Sequence, residues 1–177
     1  KKINGSKAHG TVIMFEADAE IFPKIEYDWN KVVSHLRQQA YLVKGMRIVI
    51  IDARATDFDV PSAGDFLFIR DLVAECPSMA FCFEGGLRSL VRFYNHYQKP
   101  IHKNIFYVEK EQDKVGVEIS LQYVDDISAR ILAFANNTYN SEGGTHLTGF
   151  KTALTRSLNT YGRKNNILKE SEENFTG

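Results

Sequence analysis

Glu142-Gly-Gly-Thr-His-Leu-Thr-Gly-Phe150 carries the chain from a turn into a long helix, and the fold class is read outward from it. Gly143-Gly144 stands just ahead of the helical run, where a tight turn needs φ > 0 and glycine adopts it without a steric penalty. From Thr145 onward Leu147, Phe150, Leu154, Leu158 and Tyr161 recur at spacings of three and four, which predicts an apolar helical stripe. The segment from Lys169 is acidic and polar and is expected to fray. Upstream, Val115, Val117, Ile119, Leu121 and Tyr123 alternate with Gly116, Glu118, Ser120 and Gln122, the clearest period of two in the chain and therefore a strand. Residues 104–109 read as its hairpin partner across the polar 109–114 segment. Asp125-Asp126 reads as a turn and residues 129–136 as a third strand.

The first half repeats the mixture. Thr11-Val-Ile-Met-Phe15 is a short β-branched, apolar run and predicts a strand, with Gly10 before it. Trp29, Val33, Leu36, Ala40 and Val43 share one helical face, with Asp28 as its N-cap and Gly45 as its stop. Met46-Arg-Ile-Val-Ile-Ile51 follows as a strand. Residues 52–80 carry Asp57, Asp59 and Asp65, then Phe66-Leu67-Phe68-Ile69, and read as a long connection; such lengths are uncommon inside a compact domain and mark a candidate boundary near residue 80. Glu84-Gly85-Gly86 opens another helix with Leu87, Leu90, Val91, Tyr94 and Tyr97 on one face and Pro100 ending it. The expected class is α/β (α+β), two short segments joined near residue 80.

At 177 residues the chain is long enough for one full domain, or a small domain and part of another. A compact chain of this size buries roughly 70% of its unfolded surface and folds without disulfide or metal. Cys76 and Cys82 are too few for a disulfide framework and read as reduced thiols. No apolar run is long enough for a transmembrane helix, and the Lys1-Lys2 start lacks the apolar core of a secretory signal, so no membrane partner is expected.

Formal net charge is zero, so the whole-chain balance predicts no nucleic-acid binding; the distribution differs. Residues 87–108 contain no acid but carry Arg88, Arg92, Lys99 and Lys103. Residues 143–168 again contain no acid and carry Lys151, Arg156, Arg163 and Lys164. Helical geometry turns Arg156 and Arg163 away from the apolar stripe and gathers Arg88, Arg92 and Lys99 on one polar flank. Such side chains contact phosphates without reading bases, although a solvated basic face with no partner explains the charges equally well.

No complete active site emerges. Neither G-x-x-x-x-G-K-[ST] nor G-x-G-x-x-G is present, no histidine pair has metal-ligand spacing, and no serine sits in a G-x-S-x-G elbow. Gly85-Gly86 and Gly143-Gly144 read as tight turns rather than anion sites. Asp125-Asp126, with Ser128 nearby, reads as turn chemistry rather than as an acid–base pair.

Three segments resemble the ATPase subunit of bacterial type II DNA topoisomerases, of the gyrase B kind. They are Gly10-Thr11 with Glu20-Ile21-Phe22 and the helix over 27–44; Phe83-Glu-Gly-Gly-Leu-Arg88 with Tyr94-Asn95 and Pro100-Ile101-His102; and Val117-Glu-Ile-Ser-Leu-Gln-Tyr123 with Phe134-Ala-Asn-Asn137 and residues 142–168. Only the third is specific enough alone; its Glu142-Gly-Gly-Thr-His-Leu, Gly149-Phe150-Lys151 and Leu154-Thr155-Arg156 look more like gyrase than like the topoisomerase IV partner.

The resemblance implies that residues 1–80 are the C-terminal part of a GHKL-type ATPase sandwich and residues 81–177 an incomplete transducer domain with a left-handed βαβ crossover. It implies ATP and Mg²⁺ in the complete subunit, double-stranded DNA, a gyrase A-type subunit and a second copy as partners, and a bacterial cytoplasmic setting. Gly10 and Thr11 match the family's ATP-binding positions, Thr11 being the threonine that holds the adenine through water. The magnesium-binding Asn, general-base Glu and glycine-rich lid are expected before Lys1, and the γ-phosphate lysine beyond Gly177, so the isolated chain is expected to be inactive. Arg156, Arg163, Arg88, Arg92 and Lys99 fall where the family lines its DNA-capture cavity. The departure is 55–80, longer than the family's short hairpin-like connection and readable as an insertion or an interface. The alternative is a non-catalytic α/β module that meets nucleic acid through phosphates; a structural domain with a chance basic surface ranks last.

Overall fold

The computed structural model describes residues 10–55, 70, 73 and 75–176. Its elements are α1 (Trp29–Leu42), β1 (Arg47–Ile51), β2 (Ser78–Cys82), α2 (Leu87–Tyr94), β3 (Phe106–Gln112), β4 (Val115–Leu121), β5 (Phe134–Ala135), β6 (Thr138–Tyr139) and α3 (Thr145–Lys164). Helices and antiparallel strand pairs alternate, so the mixed α/β reading holds. The sheets are β1–β2, β3–β4 and β5–β6, and no parallel pair occurs among the described residues.

α1 begins where Asp28 predicted: its carboxylate accepts the Lys31 amide at 3.1 Å, a cap that contributes about 1 kcal/mol. The helix ends at Leu42, and Gly45, at φ +77°, turns the chain into β1. α1 lies across β1 and β2 and also touches α2. Ala40 and Tyr41 are buried there, with the Tyr41 ring stacked on Phe83 at 3.7 Å between centroids. Arg37 sits over the Phe93 ring at 5.0 Å. Leu90 of α2 completes this small core.

β2 begins inside the expected 52–80 connection and runs past its end. It pairs antiparallel with β1, from Arg47 opposite Cys82 to Ile51 opposite Ser78. Ser78-Met-Ala-Phe-Cys82 lacks clean polar–apolar alternation, so its ladder with β1 identifies it where periodicity does not. Residue 80 thus falls inside a strand. The acids Asp57, Asp59 and Asp65 and the apolar 66–69 run lie outside the described residues. Cys76 is buried and Cys82 exposed.

Thr11-Val-Ile-Met-Phe15 is not a strand. It takes no regular structure and leaves Ile13 82% and Phe15 75% exposed, because no described strand lies beside it to complete a ladder. α2 also ends earlier than expected, at Tyr94, and Tyr97 beyond it is 95% exposed. The expected 129–136 strand is instead a two-rung hairpin: Asn136 and Asn137, at φ +47° and +64°, turn β5 into β6.

β3 and β4 form the longest ladder, from Phe106 opposite Leu121 to Gln112 opposite Val115. Asp113 and Lys114, at φ +52° and +65°, close it in two residues, the left-handed pair whose twist suits a hairpin. α2 packs on this hairpin, with Arg88 over Tyr107, whose hydroxyl reaches Glu118. Phe106, Val108, Val115 and Val117 alternate onto the other face and remain exposed.

α3 starts at Thr145 as predicted. Gly143 and Gly144, at φ +74° and +140°, make the turn, a conformation that L side chains rarely adopt. The expected apolar stripe is only partly covered: Leu158 and Tyr161 are exposed, and the helix position buried beyond it is Gly162. Gly162 lies under Leu168 because the chain after α3 does not fray but folds back along the helix. No described helix is long and apolar enough to cross a membrane.

Candidate nucleic-acid interface

The basic residues divide between two places. Arg88 and Arg92 stand exposed on α2. Arg88 lies over the Tyr107 ring at 4.6 Å, which orients its guanidinium along the hairpin. Lys99 is not on the helical flank expected for it, because α2 ends at Tyr94; it follows the turn and is ion-paired with Asp125 at 3.1 Å. Arg156 and Arg163 stand on α3, where a groove is lined by Arg156, Asn159, Thr160, Arg163 and Asn174. No described hydrogen bond or ion pair links the α2 set with the α3 set.

Helix spacing builds the groove. Positions 156, 159, 160 and 163 differ by three, four and seven and so share one face of α3. The opposite wall is the returning chain. Asn159 Nδ2 donates to the Phe175 carbonyl at 2.9 Å, and the Phe175 amide donates to Asn159 Oδ1 at 2.7 Å. Arg163 donates to the Lys169 carbonyl, to the Glu172 carbonyl at 2.6 Å and to Asn174 Oδ1 at 2.9 Å. Arg156 is exposed at the groove's edge, with no ion-pair partner among the described residues. Sequence reasoning ranked Arg163 with Arg156 as a free cation and passed over Asn159. Its signal was present: an asparagine inside a helix is intrinsically unfavourable and is often found bonded elsewhere.

Gly10 and Thr11 are both exposed. Among the described residues no group of three His, Cys, Asp or Glu is arranged to hold a metal ion. Asp126 accepts the Ser128 amide at 3.0 Å and its hydroxyl at 3.1 Å, which holds its carboxyl below the usual range and confirms the turn role.

A family model described as DNA gyrase B matches residues 86–177. The chain is 40% identical over 178 aligned positions to the DNA gyrase B protein of Clostridium acetobutylicum, covering 100% of this chain and 25% of that protein. It is 37% identical to the DNA gyrase B protein of Bacillus mycoides, covering 95% of this chain and 37% of that protein. The structure superposes on the 43K ATPase domain of Thermus thermophilus gyrase B, solved with an aminocoumarin, with a TM-score of 0.72 and 29% identity, covering 92% of this chain and 39% of that one. The gyrase B protein of Myxococcus xanthus shares the fold, with a TM-score of 0.65 and 17% identity over 90% of this chain and 42% of that one.

The mixed α/β fold is thus that of a segment of a gyrase B ATPase region. The chain belongs to the DNA gyrase B family and spans about a quarter of the Clostridium relative's length.

Proposed function

We propose that this chain is the part of an ATP-dependent type II DNA topoisomerase subunit that relays nucleotide state toward DNA strand passage and negative supercoiling. In this reading residues 1–80 close a GHKL-type ATPase domain, and residues 81–177 belong to the transducer. α3 faces the DNA-capture cavity. The observation that carries the reading is Arg156, exposed beside a groove on a helix with no acid from Thr145 to Lys164. A guanidinium so placed meets a phosphate oxygen as a charge-assisted donor without reading sequence.

The packing supports a relay. α1, from the first half, is bound to the second through Tyr41 on Phe83, Arg37 on Phe93, and Gln39 Nε2 donating to the Asn137 carbonyl at 3.0 Å. A displacement of α1 therefore bears directly on α2 and on the β5–β6 turn. ATP and Mg²⁺ are bound by the complete protein, with Gly10 and Thr11 supplying the edge of the adenine site. It works in bacterial cytoplasm with double-stranded DNA, a gyrase A-type subunit and a second copy of itself. In the complete protein Arg156→Ala should lower the stimulation of ATP turnover by DNA while leaving DNA-free turnover unchanged; equal stimulation would remove Arg156 from the DNA path.

A further inference from the structure

We propose that His102 is an acid-released latch: neutral, it closes a gap in the β3–β4 ladder and holds the exit of α2 against the end of β4, and protonation opens it. The latch involves neither ATP nor DNA, so it holds or fails independently of the function proposed above.

The gap comes from the register. Phe106 pairs with Leu121, but the next antiparallel bridge toward α2 joins Pro100 to Val124. Residues 101–105 therefore stand opposite only Gln122 and Tyr123, and the chain bulges out of the ladder there. The half-buried His102 side chain fills the space. The Tyr123 amide donates to His102 Nε2 at 3.0 Å, in the place of a strand carbonyl. His102 Nδ1 lies 2.7 Å from the Asn104 carbonyl on the other side. Gln122 Nε2 donates to the His102 carbonyl at 3.0 Å, and the Ile101 amide donates to the Tyr123 carbonyl at 3.1 Å. Gln122 Oε1 in turn accepts from Asn95 Nδ2 at 3.0 Å, and Asn95 caps the C-terminal end of α2. One residue thus joins the bulge, the end of β4 and, through Gln122, the end of α2.

The two partners of the ring fix its protonation state. A backbone amide only donates, so Nε2 is the bare nitrogen; a carbonyl only accepts, so Nδ1 carries the proton. An imidazolium has a proton on both nitrogens and would set its Nε2–H against the Tyr123 N–H, with no acceptor between them. Nothing around the ring compensates. No described carboxylate forms an ion pair with it. Asp125, on the paired segment, is held by Lys99 at 3.1 Å, and Lys103 beside His102 adds like charge. Tyr123 meets the imidazole edge-on at 5.9 Å between centroids, and the α2 end presents the neutral Asn95 amide. A protonated ring therefore leaves the ladder for water, and the bulge loses its tie to Tyr123.

In the complete protein, amide hydrogen exchange at Tyr123, corrected for the intrinsic rate at each pH, reads the latch. Leu90 inside α2, whose amide donates to the Gly86 carbonyl at 3.2 Å, is the reference. Between about pH 8 and about pH 5.5, where histidine changes charge, Tyr123 protection should fall roughly tenfold or more while Leu90 protection holds. His102→Gln, which keeps an uncharged acceptor at similar reach, should make Tyr123 protection independent of pH over that range. His102→Ala should leave Tyr123 unprotected throughout. Tyr123 protection that stays flat with pH in the parent, falls together with Leu90, falls as far in His102→Gln, or survives in His102→Ala would overturn the latch.

Discussion

Tyr41 and Phe83 lie face to face, 3.7 Å between centroids and 12° between planes, and this contact ties α1 to the chain just ahead of α2. Tyr41 is 4% exposed, so its ring is part of the core rather than a surface aromatic. Tyr41→Ala should destabilise the region by about 3–5 kcal/mol, the range for removing a buried aromatic ring. Tyr41→Phe should cost no more than about 1.5 kcal/mol, since it keeps the ring and loses only the hydroxyl. Urea unfolding of the complete protein, followed by a probe in this region, distinguishes them; equal losses would mean that the stack matters less than the hydroxyl.

Arg54 grips Asp52 with Nε at 2.8 Å and Nη2 at 2.6 Å, while its Nη1 reaches the Tyr27 carbonyl at 3.2 Å. The Arg54 hydrogen bonds hold the Asp52 carboxyl down at about 2. A depressed carboxylate contributes stability above its unfolded value, about 3.9, and loses it as pH falls through about 2. Arg54→Gln should return the Asp52 titration toward the ordinary range and flatten that acid limb. Carbon-detected NMR titration of Asp52 reads this directly, and an unmoved midpoint would show that Arg54 is not the cause.

Tyr107 has one phenolic proton and two carboxylates in reach, Glu109 at 2.8 Å and Glu118 at 2.9 Å. Those glutamates are cross-strand partners, an arrangement that repels unless something lies between them. Burial first, and the two carboxylates next, push the phenol well above its ordinary value. Stability from a raised group is complete below the unfolded value, about 10, and declines as pH rises past it. Tyr107→Phe should lower stability by about 1–2 kcal/mol at neutral pH and make the alkaline decline shallower. Thermal unfolding from neutral to alkaline pH measures both; an unchanged alkaline limb would contradict the assignment.

Much of this was legible because periodicity reports which side of an element is apolar. α1 with its Asp28 cap, the β3–β4 ladder and the start of α3 at Thr145 all follow from spacing and turn residues. Periodicity does not say what covers that side. Val115 and Val117 alternate as predicted, yet stand open beside Phe106 and Val108 while α2 packs on the hairpin. Ile13, Phe15 and Tyr97 are exposed as well, so hydrophobicity alone was a poor guide to burial here. β2 escaped notice because its pairing with β1 spans a long sequence gap, and the β5–β6 turn because Asn136 was read as the end of a strand rather than as the first of two left-handed residues. The wall of the groove was missed for a simpler reason: a polar, acidic segment gives no periodic signal when it is held by backbone hydrogen bonds to Asn159 and Arg163.

The most direct test places Arg156→Ala in the complete protein with its gyrase A-type partner and relaxed circular DNA, and measures ATP-dependent supercoiling. The relay and DNA-cavity account predicts a loss of at least tenfold in supercoiling rate, with the ATPase region still folded and DNA-free ATP turnover retained. Parental supercoiling by that variant would contradict it and would move the DNA contact off α3, toward Arg88 and Arg92 on α2.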